Sequence, residues 1–350
     1  MSAPTFQVTF TRDFLNGDGQ SSYGDVGLSE LNSSARVTYR FLDSYSDLVT
    51  PEQIEQTDGL ALIYPSVTRE TFARGNRRLA VIARCGAGYE RIDLRACTEA
   101  DVAVINAPDA LRVPTASAAL MYILVLSKRL CELDRLVREG HWDRRSKVMG
   151  VEPAGKTLGI VGLGIIGQEL VRLAAPLRMR VLAYDPYVPA ARGAALGATM
   201  VPLDTLLREA DYVSLHCLLT DETRGLVGTH ELALMKPTAY LINMARGQVV
   251  DHEALVDALT RRVIAGAGLD VFCQEPLPGD DPLVHLDNVV LSPHWATGTV
   301  DVFRDAGASN AKGFLRAAQG ELPDFIVNRE VIERPGFQQK LASFRQLAPR

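Results

Sequence analysis

The stretch TLGIVGLGIIGQEL, beginning at Thr157, constrains the fold of this chain more than any other. A run of β-formers ends at Gly162, and Gly162, Gly164 and Gly167 then form G-x-G-x-x-G at the start of a helix-forming run, the strand–turn–helix setting this spacing requires. The first glycine permits a tight turn, the second lets backbone approach a diphosphate, and the third lets helix and strand pack closely. A diphosphate would then rest on the unpaired N–H groups of the helix N-terminus. Eighteen residues beyond Gly167, at the end of RVLAYDPY, stands Asp185. An acidic side chain here suits the ribose hydroxyls of a dinucleotide and repels a 2′-phosphate, which favours NAD over NADP. Nearby Arg192 argues the other way, and the plainer reading of Asp185 is a turn cap before Pro186.

The rest of the chain is organised around that unit. Its 350 residues suggest about two domains, because single cores stop growing near 250–300 residues. Short Val/Ile-rich runs alternate with helix-period stretches, the pattern of parallel sheets with crossover helices. Strands are expected at residues 6–10, 37–42, 59–64, 79–84 and 103–106, then at 157–161, 180–184, 212–216, 239–243, 265–269 and 289–291. A long helix is expected from about Pro114 to Arg138, and PDFIVNREVI near the C-terminus as a strand or extended return. The later six strands make one doubly wound unit. The last 50 residues are too few for a core and are expected to pack on the first third. The expected fold is therefore α/β: a Rossmann domain, residues 111–299, inserted in a discontinuous flavodoxin-like domain of residues 1–110 and 300–350.

Composition narrows the possible partners. With 37 basic and 42 acidic residues, a net charge of −5 and no long block of one sign, nucleic acid is not expected as a partner. Arg12 and Asp13 interrupt any signal-peptide core, and the apolar stretch 118–126 is too short to span a bilayer, so a cytoplasmic protein without membrane contact is expected. The five cysteines are scattered, with no C-x-x-C pair, which suits reduced thiols and offers no metal site.

In open α/β sheets ligands bind beyond the carboxyl ends of the strands. Arg246 follows AYLINMA, Glu275 follows GLDVFCQ and His294 follows NVVLSP. A guanidinium can grip a carboxylate and polarise the neighbouring carbonyl. A histidine can exchange a proton near neutral pH, and a glutamate beside it would fix its tautomer and favour its charged form. Singly, these residues read as a solvated arginine, a turn glutamate and a strand-end histidine. Jointly, downstream of a dinucleotide loop, they read as a site for oxidising a 2-hydroxy acid or reducing a 2-oxo acid.

These stretches, GIVGLGIIGQEL, LMKPTAYLINMARGQVVD, IAGAGLDVFCQEPLP and NVVLSPHWATG, with ARCGAGYERIDLRACTEADVAVINAPD earlier, resemble the NAD-dependent D-isomer-specific 2-hydroxyacid dehydrogenases over roughly residues 55–310. The resemblance implies NAD(H) as cofactor, His294 as acid/base, Glu275 as its partner and Arg246 as anchor of the substrate carboxylate and carbonyl. It implies that Asp270 holds the nicotinamide carboxamide or supports the histidine, and that Ile165, Ile166, Cys217, Thr223 and Met244 line the cofactor. The backbone of Gly86, Ala87 and Gly88 would bind the substrate carboxylate, Asn106 would lie near a hinge, and the segment 127–147 would pair two chains in a homodimer.

Four departures stand out. Relatives often carry V-R-S-x-T where this chain has Ile63-Tyr64-Pro65-Ser66-Val67-Thr68, and Ser117 takes the place of a V-A-E glutamate. His216-Cys217-Leu218-Leu219-Thr220 replaces H-x-P-L-T, and Gly88-Tyr89-Glu90-Arg91-Ile92-Asp93 replaces G-x-D-N-[IV]-D. None touches the Arg/Glu/His set. Tyr64, Tyr89 and Trp295 are each open to a cleft or a packing role. Two other functions share the resemblance: a non-catalytic NAD-sensing regulator and a phosphonate-type dehydrogenase.

Overall fold

A computed structural model of the chain describes residues 5–346. The chain forms two compact units, one made by the chain up to Leu111 together with the chain from Gly298 on, the other by Arg112–Thr297.

The first unit holds five parallel strands, β1 (Phe6–Phe10), β2 (Val37–Phe41), β3 (Gly59–Leu62), β4 (Val81–Arg84) and β5 (Ala103–Ile105), in the order β2-β1-β3-β4-β5. That is the flavodoxin-like order. The central strands are apolar on both faces because both are covered, as parallel sheets require: every residue of β3 is buried, and so are Val81, Ile82 and Ala83 of β4. One face packs on the C-terminal helices Val300–Ala318 and Pro335–Arg345, whose Phe314, Phe337, Leu341 and Phe344 join Phe6, Phe10 and Phe14 in one core. Phe6 and Phe344 meet edge to face, centroids 4.9 Å apart. The opposite face buries Leu60, Leu62, Ile82 and Val104 against Ile54, Cys97 and Val102.

Of the two expectations for PDFIVNREVI, the segment is the extended return and not a further strand. Ile326 bridges Ile105 and Val327 N donates to Val104 O at 2.8 Å, and the buried Asn328 side chain completes the edge of β5 by accepting from Val104 N at 2.8 Å and donating to Val102 O at 2.9 Å. One bridge, one backbone bond and this amide stand where a further strand would pair, and the chain turns away as a 3-10 helix, Arg329–Glu333.

The second unit holds seven parallel strands, β6 (Thr157–Val161), β7 (Arg180–Tyr184), β8 (Thr199–Met200), β9 (Tyr212–Leu215), β10 (Tyr240–Asn243), β11 (Gly266–Leu269) and β12 (Val289–Leu291), in the order β12-β11-β10-β9-β6-β7-β8. This is a Rossmann sheet whose winding reverses between β6 and β9, the crevice where such sheets bind ligands. The two-residue edge strand β8 is too short to carry an alternating pattern, which is why the sequence did not announce it.

The expected helix from Pro114 to Arg138 is two helices, Pro108–Lys128 and Leu130–Arg138, broken by Arg129 in the left-handed region with φ 53°. Pro108–Lys128 is longer than the apolar stretch 118–126 and, by length and composition alone, could cross a bilayer. Its Ala116, Ala119, Tyr122, Ile123 and Leu126 instead pack on Leu158, Ile160 and Ile242, so its apolar face belongs to the core of this unit. The helix Leu130–Arg138 buries no residue and leaves Leu130 and Val137 exposed, with Trp142 and Met149 exposed beyond it.

Candidate active site

The glycine loop between β6 and the helix Ile165–Ala174 has the shape its motif demands. Gly162 sits at φ 92°, and a Cβ there would lie 2.6 Å from Cys217 N, so the loop after β9 closes directly onto it. A Cβ on Gly167 would lie 2.3 Å from Gly162 O, the close helix–strand packing expected of the third glycine. Gly164, the N-cap of the helix, is different: a Cβ there would meet nothing within 4 Å. Open space in front of free helix N–H groups fits a diphosphate. Asp185, at the end of β7, accepts from Leu163 N through Oδ2 and from Tyr187 N through Oδ1, both at 2.9 Å. The carboxylate is thus tied to the glycine loop, with lone pairs left for ribose hydroxyls.

The loop after β9 holds a histidine that sequence reasoning passed over. His216 Nε2 pairs with Ser214 Oγ at 2.8 Å, while its buried Nδ1 has no hydrogen-bond partner among the described residues. Burial lowers its pKa from 6.5 to about 4, so it is neutral at physiological pH. Burial likewise raises the neighbouring Cys217 thiol to about 11. Thr223 closes the following turn, donating to Leu218 O at 2.5 Å and accepting from Thr220 N at 2.8 Å. Met244 is buried just beyond β10.

Three strand ends bring the proposed chemistry together within this unit. The turn after β10 is pinned by Asn243, which donates to Arg246 O at 2.9 Å and accepts from Ala245 N at 3.0 Å. A Cβ on Gly247 would lie 1.9 Å from the backbone carbon of Phe272, so the Arg246 turn lies against the loop that carries Glu275. Glu275 accepts from Phe272 N at 2.9 Å through Oε1 and pairs with His294 Nδ1 at 2.8 Å through Oε2. Burial pushes the Glu275 pKa up, but the bonds from His294 and Phe272 and the charge of Arg246 outweigh it and hold the carboxyl below its usual range. His294 stands in the left-handed region at φ 52° with a half-exposed side chain.

Asp270, after β11, organises the loop around this histidine. Its Oδ1 accepts from Trp295 N and Ala296 N, each at 2.9 Å, and from the Ser292 hydroxyl. Trp295 remains partly exposed.

In the first unit, the loop Gly86-Ala87-Gly88 follows β4. Gly86 O accepts from Ala107 N at 3.0 Å, and Ala87 O accepts from the Asn106 side chain at 2.7 Å. Tyr64 N donates to Asp13 Oδ2 at 2.7 Å, and the Tyr64 hydroxyl pairs with that of Tyr23. Tyr23 stacks on Phe303 at 4.1 Å, and burial, with the charges of Tyr64 and Asp13, raises its pKa to about 12. Tyr89 packs on the Val67–Ile92 side of the core, and the Ser117 hydroxyl donates to Pro114 O at 3.0 Å.

The fold and this strand-end site define an NAD-dependent oxidoreductase. The family model of the D-isomer specific 2-hydroxyacid dehydrogenase NAD-binding domain matches residues 120–296. The chain is 40% identical over 309 residues to a glyoxylate reductase of Korarchaeum cryptofilum, covering 85% of this chain and 93% of that protein. It is 37% identical over 279 residues to a D-3-phosphoglycerate dehydrogenase of Methanocaldococcus jannaschii, covering 79% of this chain and 53% of that protein. Among solved structures it resembles the TT0316 protein of Thermus thermophilus, with TM-score 0.80, 32% identity and coverage of 92% of this chain and 99% of that one. The D-lactate dehydrogenase of Escherichia coli superposes with TM-score 0.77 at 25% identity, over 92% and 99% of the two chains. The chain therefore belongs to the D-isomer specific 2-hydroxyacid dehydrogenases, enzymes acting on CH–OH donors with NAD.

Proposed function

We propose that the chain interconverts a D-2-hydroxy acid and its 2-oxo acid, with a small acid of the glyoxylate class as the first substrate to test, given the 40% identical relative. The His294–Glu275 pair carries this reading, because it is an oriented acid/base with its carboxylate fixed in turn by the Phe272 amide. The bound nicotinamide supplies the hydride acceptor or donor at C4. Glu275 holds His294 Nδ1 and leaves Nε2 to take the substrate hydroxyl proton in oxidation and return it to the carbonyl oxygen in reduction. Arg246 grips the substrate carboxylate and polarises C2–O, and the Gly86, Ala87 and Gly88 amides are the first unit's candidate carboxylate donors. The N–H groups of Ile165 and Ile166, with Gly162, Gly164 and Gly167, hold the diphosphate. Asp185 takes the ribose, Cys217, Thr223 and Met244 flank the cofactor, and Asp270 serves the histidine loop. In this reading the enzyme is cytoplasmic, and the exposed face around Leu130, Val137 and Trp142 pairs two chains.

The test is NADH oxidation with glyoxylate, hydroxypyruvate, pyruvate and 3-phosphohydroxypyruvate, and NAD reduction with D- and L-hydroxy acids and phosphonate. Turnover of a 2-oxo acid and of D- but not L-hydroxy acids is expected. Tight NADH binding with no turnover supports a regulator instead, and turnover of phosphonate alone supports that chemistry.

A further inference from the structure

We propose that Tyr122 is a positioning residue for His294, acting through a one-way hydrogen-bond chain from Tyr122 to Ser292 to Asp270. The inference rests on His294 being the acid/base. Tyr122 is buried in the middle of the helix Pro108–Lys128, its ring covering β11 so closely that a Cβ on Gly268 would lie 2.5 Å from Cδ1. Its hydroxyl lies 2.5 Å from Ser292 Oγ and 3.2 Å from Leu269 O. Each hydroxyl has a single hydrogen, and that of Ser292 goes to Asp270 Oδ1. With the Ser292 hydrogen spent on Asp270, the 2.5 Å approach leaves Tyr122 as the donor to Ser292, its one hydrogen shared with the more distant Leu269 O.

That chain ends where the histidine loop is held. Asp270 Oδ1 also accepts from Trp295 N and Ala296 N at 2.9 Å, so the residues that follow His294 and the serine that precedes it are tied to one oxygen atom. The His294 amide closes the loop by donating to Ser292 O at 3.0 Å. A histidine at φ 52° is in a region that L-residues leave when released. Losing the Ser292 tether therefore frees the loop to relax and draws Nδ1 away from Glu275. Tyr122 reaches the reacting atoms only through this chain, which is why its effect must fall on kcat and not on binding.

The test uses Tyr122→Phe, which keeps the ring against Gly268, and Ser292→Ala. Each is expected to lower kcat about tenfold, the loss of one positioning hydrogen bond, with NADH affinity and the KM of the 2-oxo acid unchanged. The double variant is expected to be no slower than Ser292→Ala alone, because both act through one chain. A wild-type kcat in Tyr122→Phe, a loss that falls on KM or NADH affinity instead, or losses that multiply in the double variant, overturn the inference. His294→Gln is run alongside: if it retains turnover, the acid/base reading fails, whereas an inactive His294→Gln with an unaffected Tyr122→Phe removes the positioning role alone.

Discussion

Protonation of His216 should cost this protein stability in a defined acid window. The ring is enclosed at Nδ1 and meets Ser214 at Nε2, and burial lowers its pKa from 6.5 to about 4. Above pH 6.5 both folded and unfolded chains carry a neutral imidazole, and the group contributes no pH dependence. As pH falls from about 6.5 toward 4 the unfolded chain binds a proton that the folded chain refuses, so stability is lost across that window. A shift of this size amounts to about 3 kcal/mol, a ceiling because the residue as a whole is only half-buried. The assay is urea unfolding between about pH 7.5 and 4.5 for the wild type and for His216→Gln, whose amide can still meet Ser214 but does not titrate. The wild type should lose up to about 3 kcal/mol more than the variant over this range. Equal pH slopes would refute the reasoning, since they would mean that the imidazole titrates alike in both states.

Three further outcomes follow from the site. Glu275→Gln removes the carboxylate that orients His294 through Nδ1, so kcat should fall roughly 10²-fold with NADH affinity unchanged, measured by steady-state kinetics and NADH titration. Asp185→Ser should lower kcat/KM for NADH by about tenfold and raise it for NADPH, because it removes a ribose acceptor and the charge that repels a 2′-phosphate; an unchanged preference counts against the ribose role. Sedimentation should give twice the chain mass for the wild type and the chain mass for Val137→Asp, which buries a charge in the proposed pairing face.

Much of this architecture was legible because it is written in short-range chemistry. The Gly162–Gly164–Gly167 spacing lies directly between a strand and a helix, and parallel strands buried on both faces read as unbroken Val/Ile runs such as β4. The His294–Glu275 pair was legible for another reason: each residue lies in the loop that follows its own strand, and a parallel sheet brings successive strand ends to one edge. What was missed depends on distant contacts. Nothing near Asn328 says that its amide will satisfy the edge of β5, 224 residues earlier at Val104, in place of a strand. Tyr122 lies in an apolar helix where it reads as core, and only the fold brings its hydroxyl to Ser292. His216 likewise looks like a loop residue until the glycine loop closes over it. The C-terminal helix Pro335–Arg345 was readable and overlooked: Phe337, Leu341 and Phe344 follow a helical repeat after a Pro at its first position.

The most direct test of the account is the single-turnover rate of hydride transfer in His294→Gln, measured by stopped-flow NADH fluorescence with saturating 2-oxo acid, beside NADH affinity measured by titration. The account predicts hydride transfer slowed by at least about 10²-fold with NADH affinity within a factor of about two of wild type. A transfer rate equal to that of the wild type would contradict it, because proton delivery would then come from another group.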